Sequence, residues 1–173
     1  MGKTRSALVR LEPVKLSLVS GSDRAGEAHR DCATCDAHCC RVGFNSMLVS
    51  RIEAVAMARR LGEPDLAPRR EEIRERARAE IEERGLADDP FVDYDCPLLE
   101  PDGKCLIHGP AQPAGCLTFQ PVADGGCDHD LEAFDAVLPR IEAAEIEAFG
   151  DVDEVRPIPV ALLRALAAED RAG

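Results

Sequence analysis

The chain has 173 residues, enough for one domain with a helical extension, and it carries a net charge of −12. That acidity excludes a protein that grips nucleic acid by general phosphate attraction and argues against an anionic membrane surface as partner, while leaving cationic partners and small substrates open. Aromatics are scarce, with no Trp, 1 Tyr and 5 Phe, so small aliphatics must build a core that a metal staple would strengthen.

The basic start Met1-Gly2-Lys3-Thr4-Arg5 is not followed by an apolar run of the signal-peptide kind, because Glu12, Pro13 and Lys15 interrupt it. No stretch approaches the ~18 apolar residues of a membrane span. A cytoplasmic location is therefore expected, where thiols stay reduced and cysteine clusters bind metal more often than they form disulfides. A four-disulfide framework is the alternative for a secreted chain. Residues 7–20 alternate imperfectly around Pro13, which predicts two short extended pieces, one of them an edge strand. Residues 21–26 read as a polar loop.

Cys32, Cys35, Cys39 and Cys40 follow in the spacing C-x2-C-x3-C-C, and a two-residue gap lets one turn of backbone aim two thiolates at a single centre. Gly43 marks a tight bend or a close approach to the metal. Ser50 and Glu53 have the S-x-x-E form of a capping box, and Ile52, Val55, Met57 and Leu61 give the helix behind them an apolar face that Gly62 and Pro64 end. Residues 65–84 predict a second, highly charged helix with a thin apolar face of Leu66, Ile73, Ala77 and Ile81. It reads as a mostly solvated helix or an oligomer contact.

Residues 91–95 alternate like a short strand, and Pro101-Asp102-Gly103-Lys104 is a turn that lets Cys96 and Cys105 meet in a hairpin. Residues 109–115 are too rich in Gly and Pro for regular structure and deliver Cys116; Cys127 follows beyond Gly125-Gly126. Asp130 can cap a helix over 131–149 with Phe134, Val137, Leu138, Ile141 and Ile146 as its stripe, kinked or split at Pro139 and ended by Gly150. A last helix is expected over 160–168, opened by Pro159.

The ordered set, C-x2-C-x3-C-C, a capped helix, C-P-x-L, a D-G turn, C-x-I, a Pro-centred segment and C-x-x-F, resembles the zinc- or iron-chelating cysteine-cluster family called YkgJ-like. That family is similar to the cysteine-rich part of flagellin lysine-N-methylases. The resemblance covers residues 32–121. It implies that Cys32, Cys35, Cys39, Cys40, Cys96, Cys105 and Cys116 are metal ligands, with Cys127 outside the set. Three departures stand against it: His108 replaces a Tyr, Gln112 precedes Pro113 in place of Arg, and Leu117 follows Cys116 in place of Arg. Losing both arginines puts in doubt any activity that needs charge balance beside an anionic centre.

The expectation is thus a helix-rich α+β fold, a small metal-stapled cysteine-cluster domain with a short hairpin and C-terminal helices. Residues 1–127 would form the metal-binding domain, with its core at 32–121, and 128–173 a helical extension packed on it. Soft thiolates suit an iron–sulfur cluster or Zn²⁺ alike, and the scarcity of histidines tilts the choice towards [4Fe–4S]. The expected function is metal binding. The alternatives are a protein-modifying enzyme, methylase-like or redox, that uses the cluster, and a non-catalytic adaptor with a structural zinc. Whether the chain is an enzyme is left open, since no G-x-S-x-G, Walker loop, G-x-G-x-x-G or H-E-x-x-H occurs. His108 reads as a ligand or a loop residue, His38 as pointing away or donating a hydrogen bond to a ligand, and Cys127-Asp128-His129-Asp130 as an N/O/S site or a free Cys beside a helix cap. A protein partner or substrate is left open; nucleic acid and membrane are not expected.

Overall fold

The computed structural model describes residues 2–22, 37–121 and 127–172. Six helices dominate them: α1 (Gly2–Ser22), α2 (Arg51–Leu61), α3 (Arg70–Arg84), α4 (Ala114–Leu117), α5 (Leu131–Phe149) and α6 (Ile158–Ala172). Two antiparallel pairs complete the regular structure, β1 (Leu48–Val49) with β4 (Arg156–Pro157) and β2 (Phe119–Pro121) with β3 (Cys127–His129). The helix-rich α+β reading holds, and the sheets are no more than small open two-stranded pieces. The metal-stapled part of the expected fold class does not hold, because among the described residues no group of three or more His, Cys, Asp or Glu side chains is placed to hold a metal ion.

The largest departure from expectation is at the N-terminus, where α1 replaces the extended pieces. Ala7, Leu11 and Lys15 are buried at helical spacing, with Val14 and Leu18 beside them on the same face, and that face packs on α5. Pro13 removes one backbone N–H, but it sits on the exposed face, where water can satisfy the carbonyl it leaves without a partner. Pro139 likewise sits on the exposed face of α5, and the helix runs through it unsplit. The predicted loop begins inside α1, since Gly21 and Ser22 are helical, and residues 23–26 lie outside the described residues.

Local signals elsewhere act as their chemistry requires. Ser50 and Glu53 form a full capping box at α2. Asp130 accepts from Ala133 N at 2.9 Å at the start of α5, and Gly150, at φ 92°, ends it. The α5 stripe is rotated from the predicted one: Ile146 is 54% exposed, and Glu145 is buried beside it, accepting from Ile52 N at 3.1 Å. The last helix starts at Ile158 with Pro159 in its first turn and runs to Ala172, longer at both ends than expected.

Two cores result. One joins α2, α3 and α6 around Met57, Leu61, Ile73, Leu162 and Leu166, with Tyr94, Leu98 and Ile107 from the intervening chain. The other joins α1 and α5 around Leu11, Ile52, Val137 and Ile141. The thin face of α3 is therefore buried against α6, and Arg70 and Arg74 both reach Asp170 of that helix, at 2.8 and 2.6 Å. The charged helix is an internal strut with a solvated outer face. Among the described residues, no helix is long and apolar enough to cross a membrane.

Candidate functional site: a thiol-lined cavity

The cysteines converge through separate local devices. Ala37, in the left-handed region at φ 58°, leads into a 3-10 turn over His38–Cys40 that carries Cys39 and Cys40. Gly43, at φ 91°, makes the expected bend, but nothing lies within 4 Å of where its Cβ would be, so the bend and not a close approach explains it. Residues 91–95 form no strand. They are pinned individually, Tyr94 N to Asn45 O at 2.9 Å, Asp95 N to Glu80 Oε2 at 3.0 Å and Cys96 N to Cys40 O at 2.8 Å.

The expected hairpin is reduced to one bridge, Leu99 to Cys105, closed by Gly103 at φ 84°. It still brings Cys105 beside the segment of Cys96. Cys116 arrives on α4, whose first residue, Ala114, donates its N–H to Glu53 Oε1 at 2.7 Å. The Gly/Pro-rich stretch thus ends in a helical turn rather than in loop. Gly115 lets that turn sit against Met47, since a Cβ there would meet Met47 Sδ at 2.5 Å.

Cys39, Cys40, Cys96, Cys105 and Cys116 line one cavity of about 40 Å³, together with Leu98, Ile107 and Ile158. All five are half-buried. The cavity can hold a water molecule or two, and its walls are nearly all apolar. Burial pushes the Cys96 thiol up to about 12, with Cys105 adding to the shift, and holds Cys116 well above the ordinary range for the same reason. Cys40 is shifted upward too: its hydrogen bond with Cys39 pulls down, while burial and the neighbouring thiols outweigh it. These thiols are neutral near pH 7.

Of the seven cysteines expected as metal ligands, five share this cavity, and Cys32 and Cys35 lie outside the described residues, as does His29. Sharing a wall is not sharing a coordination sphere. A zinc or iron centre needs thiolates at about 2.3 Å from one point. The five cavity cysteines do not form such a group. The expected iron–sulfur cluster or Zn²⁺ is therefore corrected, and with it the metal-binding function and its cluster-dependent enzymatic and structural-zinc alternatives.

His108 is not among the residues lining the cavity. His38 packs against Phe44 with ring centroids 3.7 Å apart, the outward-facing option. His129 Nε2 lies 2.9 Å from Thr118 Oγ1 and its ring stacks on Phe119, so it belongs to the β2–β3 pair. Cys127 is in β3, paired with Pro121.

The sequence reading missed the charged group beside the cavity. Lys15 is 1% exposed, and its Nζ lies 3.8 Å from Glu53 Oε1, an ion-pair distance too long for a hydrogen bond. Burial lowers the Lys15 pKa, against the pull of Glu53 and Cys116. Glu53 was visible as a capping residue. Its second carboxylate oxygen, which ties α1 and α4 to α2, had no local signature.

No protein-family model, curated protein or solved structure matches the chain. The resemblance to the YkgJ-like cysteine-cluster family is accordingly corrected. The motif order was shared, but no family model matches the chain and the described cysteines lack the metal geometry that gave the order its meaning.

Proposed function

We propose that this is a thiol-redox-responsive protein whose cavity cysteines pass reversibly between free thiols and a disulfide. One observation carries the reading: five cysteines from segments far apart in sequence converge on one cavity. Cysteines scattered through a core serve as small hydrophobes. Sulfurs gathered on one wall can react with each other.

Cys40 and Cys96 are the pair best supported. The Cys96 N–H to Cys40 O bond of 2.8 Å draws the two backbones together. That contact sets the two residues side by side at the cavity, and a disulfide spans Cα atoms about 4.4–6.8 Å apart. The oxidant is a low-molecular-weight disulfide such as glutathione disulfide. The Cys40 thiolate attacks one of its sulfurs, a mixed disulfide forms and one glutathione thiolate leaves. The Cys96 thiolate then attacks the Cys40 sulfur, forming the Cys40–Cys96 bond and expelling the second glutathione thiolate. The two thiol protons end on the two glutathiones, and the protein has lost two electrons. Because the buried thiols are held neutral, this is a slow response to redox poise rather than rapid turnover.

The test is incubation with glutathione disulfide, blocking of residual thiols and peptide mapping without reductant. The expected product is a cross-linked pair of peptides carrying Cys40 and Cys96, released by dithiothreitol and missing in Cys40→Ser. Thiols that all stay free, or that acquire only bound glutathione, would overturn the reading.

A further inference from the structure

A second cavity, remote from the thiols, lies between α2 and α6 and has a volume of about 140 Å³. Ala54 of α2 and Ala161, Ala165 and Ala168 of α6 line it together with Phe149, and these small side chains leave the space open. Its walls are almost wholly apolar, and its size is close to that of the ~150 Å³ engineered cavity that takes up benzene.

The rim gathers three guanidinium groups in a chain of net charge −12. Arg51, Arg156 and Arg164 all line the cavity. Arg51 lies over the Phe149 ring, 3.9 Å from its centroid, and its Nη2 pairs with Asp151 Oδ1 at 2.6 Å. Arg156 pairs with Glu154 at 3.4 Å and Asp153 at 3.8 Å, the two carboxylates that also line the cavity. The Nε atoms of both arginines are nevertheless buried without a hydrogen-bond partner. Arg164 has no ion-pair or hydrogen-bond partner among the described residues. The three guanidiniums are matched in number by Asp151, Asp153 and Glu154, but unevenly: Arg156 takes two carboxylates and Arg164 none. One rim guanidinium therefore lacks a counter-ion, beside two orphaned donors, and buried donors left without acceptors are costly.

We infer that this cavity binds a small apolar carboxylate of benzoate size. The ring enters the alanine-walled slot between α2 and α6. The carboxylate meets Arg164 and the guanidinium edges at the mouth, where a planar fork suits a planar carboxylate. A neutral aromatic of the same size fills the slot but leaves the arginines unanswered, and a small inorganic anion answers them but leaves the slot empty.

The experiment is isothermal calorimetry on the full chain with benzoate, benzyl alcohol and sulfate as the probes. Two variants accompany it, Arg164→Gln at the exposed rim and Ala168→Leu at the exposed mouth. The expected result is saturable millimolar benzoate binding, weakened at least about fivefold by Arg164→Gln and abolished by Ala168→Leu. Both substitutions sit at exposed positions, so far-UV circular dichroism and the unfolding midpoint should stay unchanged. No benzoate binding at tens of millimolar, or binding by benzyl alcohol as tight as by benzoate, would overturn the inference, as would benzoate binding untouched by both variants.

Discussion

Glu53→Gln tests how one buried carboxylate joins three elements. In the native chain Glu53 accepts from Ser50 N at 3.2 Å and Ser50 Oγ at 3.0 Å through one oxygen, and from Ala114 N at 2.7 Å through the other, which also faces Lys15 Nζ at 3.8 Å. The amide keeps one acceptor oxygen and loses the other. Leaving a buried backbone N–H unpaired costs about 1–3 kcal/mol. Removing one partner of a buried ion pair costs about 3–5 kcal/mol, because the other charge is left stranded. Lys15 can escape that penalty by losing its proton, and moving a lysine from its ordinary value to neutrality at pH 7 caps the electrostatic part at roughly 5 kcal/mol. The expected loss is about 4–6 kcal/mol in urea unfolding followed by circular dichroism at constant m-value. The double variant Lys15→Met/Glu53→Gln removes the stranded charge and should recover most of it, leaving about 1–3 kcal/mol. If the double variant is as unstable as Glu53→Gln alone, or if Glu53→Gln costs under about 1 kcal/mol, the three-element role of Glu53 is wrong.

Other perturbations read other parts of the account. Tyr94 is fully buried, donates to Met47 O and accepts from Ile158 N at 3.1 Å, so Tyr94→Phe orphans two backbone groups and should cost about 2–4 kcal/mol in the same assay. Asp130→Ala removes the α5 cap and should cost about 1 kcal/mol, checked by thermal unfolding. The native state holds the Cys96 proton more tightly, at about 12 against an ordinary 9.0, and Cys116 shifts the same way. Between those values the unfolded chain binds fewer protons than the native one. Stability should therefore be intact below about pH 9 and fall above it, by up to about 1.4 kcal/mol per pH unit per thiol. Cys96→Ser should flatten that alkaline limb of a stability-against-pH series. Oxidation to the Cys40–Cys96 disulfide would close a long loop and stabilise by up to about 4 kcal/mol, read as a higher urea midpoint than that of the reduced chain.

The elements that were legible are those whose signals are local. Ser50 with Glu53, Asp130 and Gly150 each satisfy a backbone group within one turn, so their roles follow from residue type and spacing alone. Residues 7–20 misled because Pro13 was weighed as a breaker. The i, i+4 row of Ala7, Leu11 and Lys15 was present, but a lysine in an apolar row looked like an interruption, and only the partner from α2 makes it a core residue. The thin face of α3 looked insufficient for burial because its complement, α6, lies far along the chain. At the site, Cys39, Cys40, Cys96, Cys105 and Cys116 line one cavity, and the turn at residues 101–104 helps bring Cys105 back beside the segment of Cys96. Whether meeting thiols share one coordination point depends on sub-ångström placement by segments remote in sequence, and there the motif order was mistaken for metal geometry. The alanine-walled cavity was invisible, since a void between helices leaves no residue pattern of its own.

The most direct test of the thiol-redox account is a count of free thiols at equilibrium across a series of glutathione buffers of known potential. The account expects two thiols to disappear together in one reversible two-electron step, with K changing tenfold per about 30 mV, and the step to vanish in Cys40→Ser. A thiol count flat across the whole series, or thiols lost singly as glutathione adducts, would contradict it.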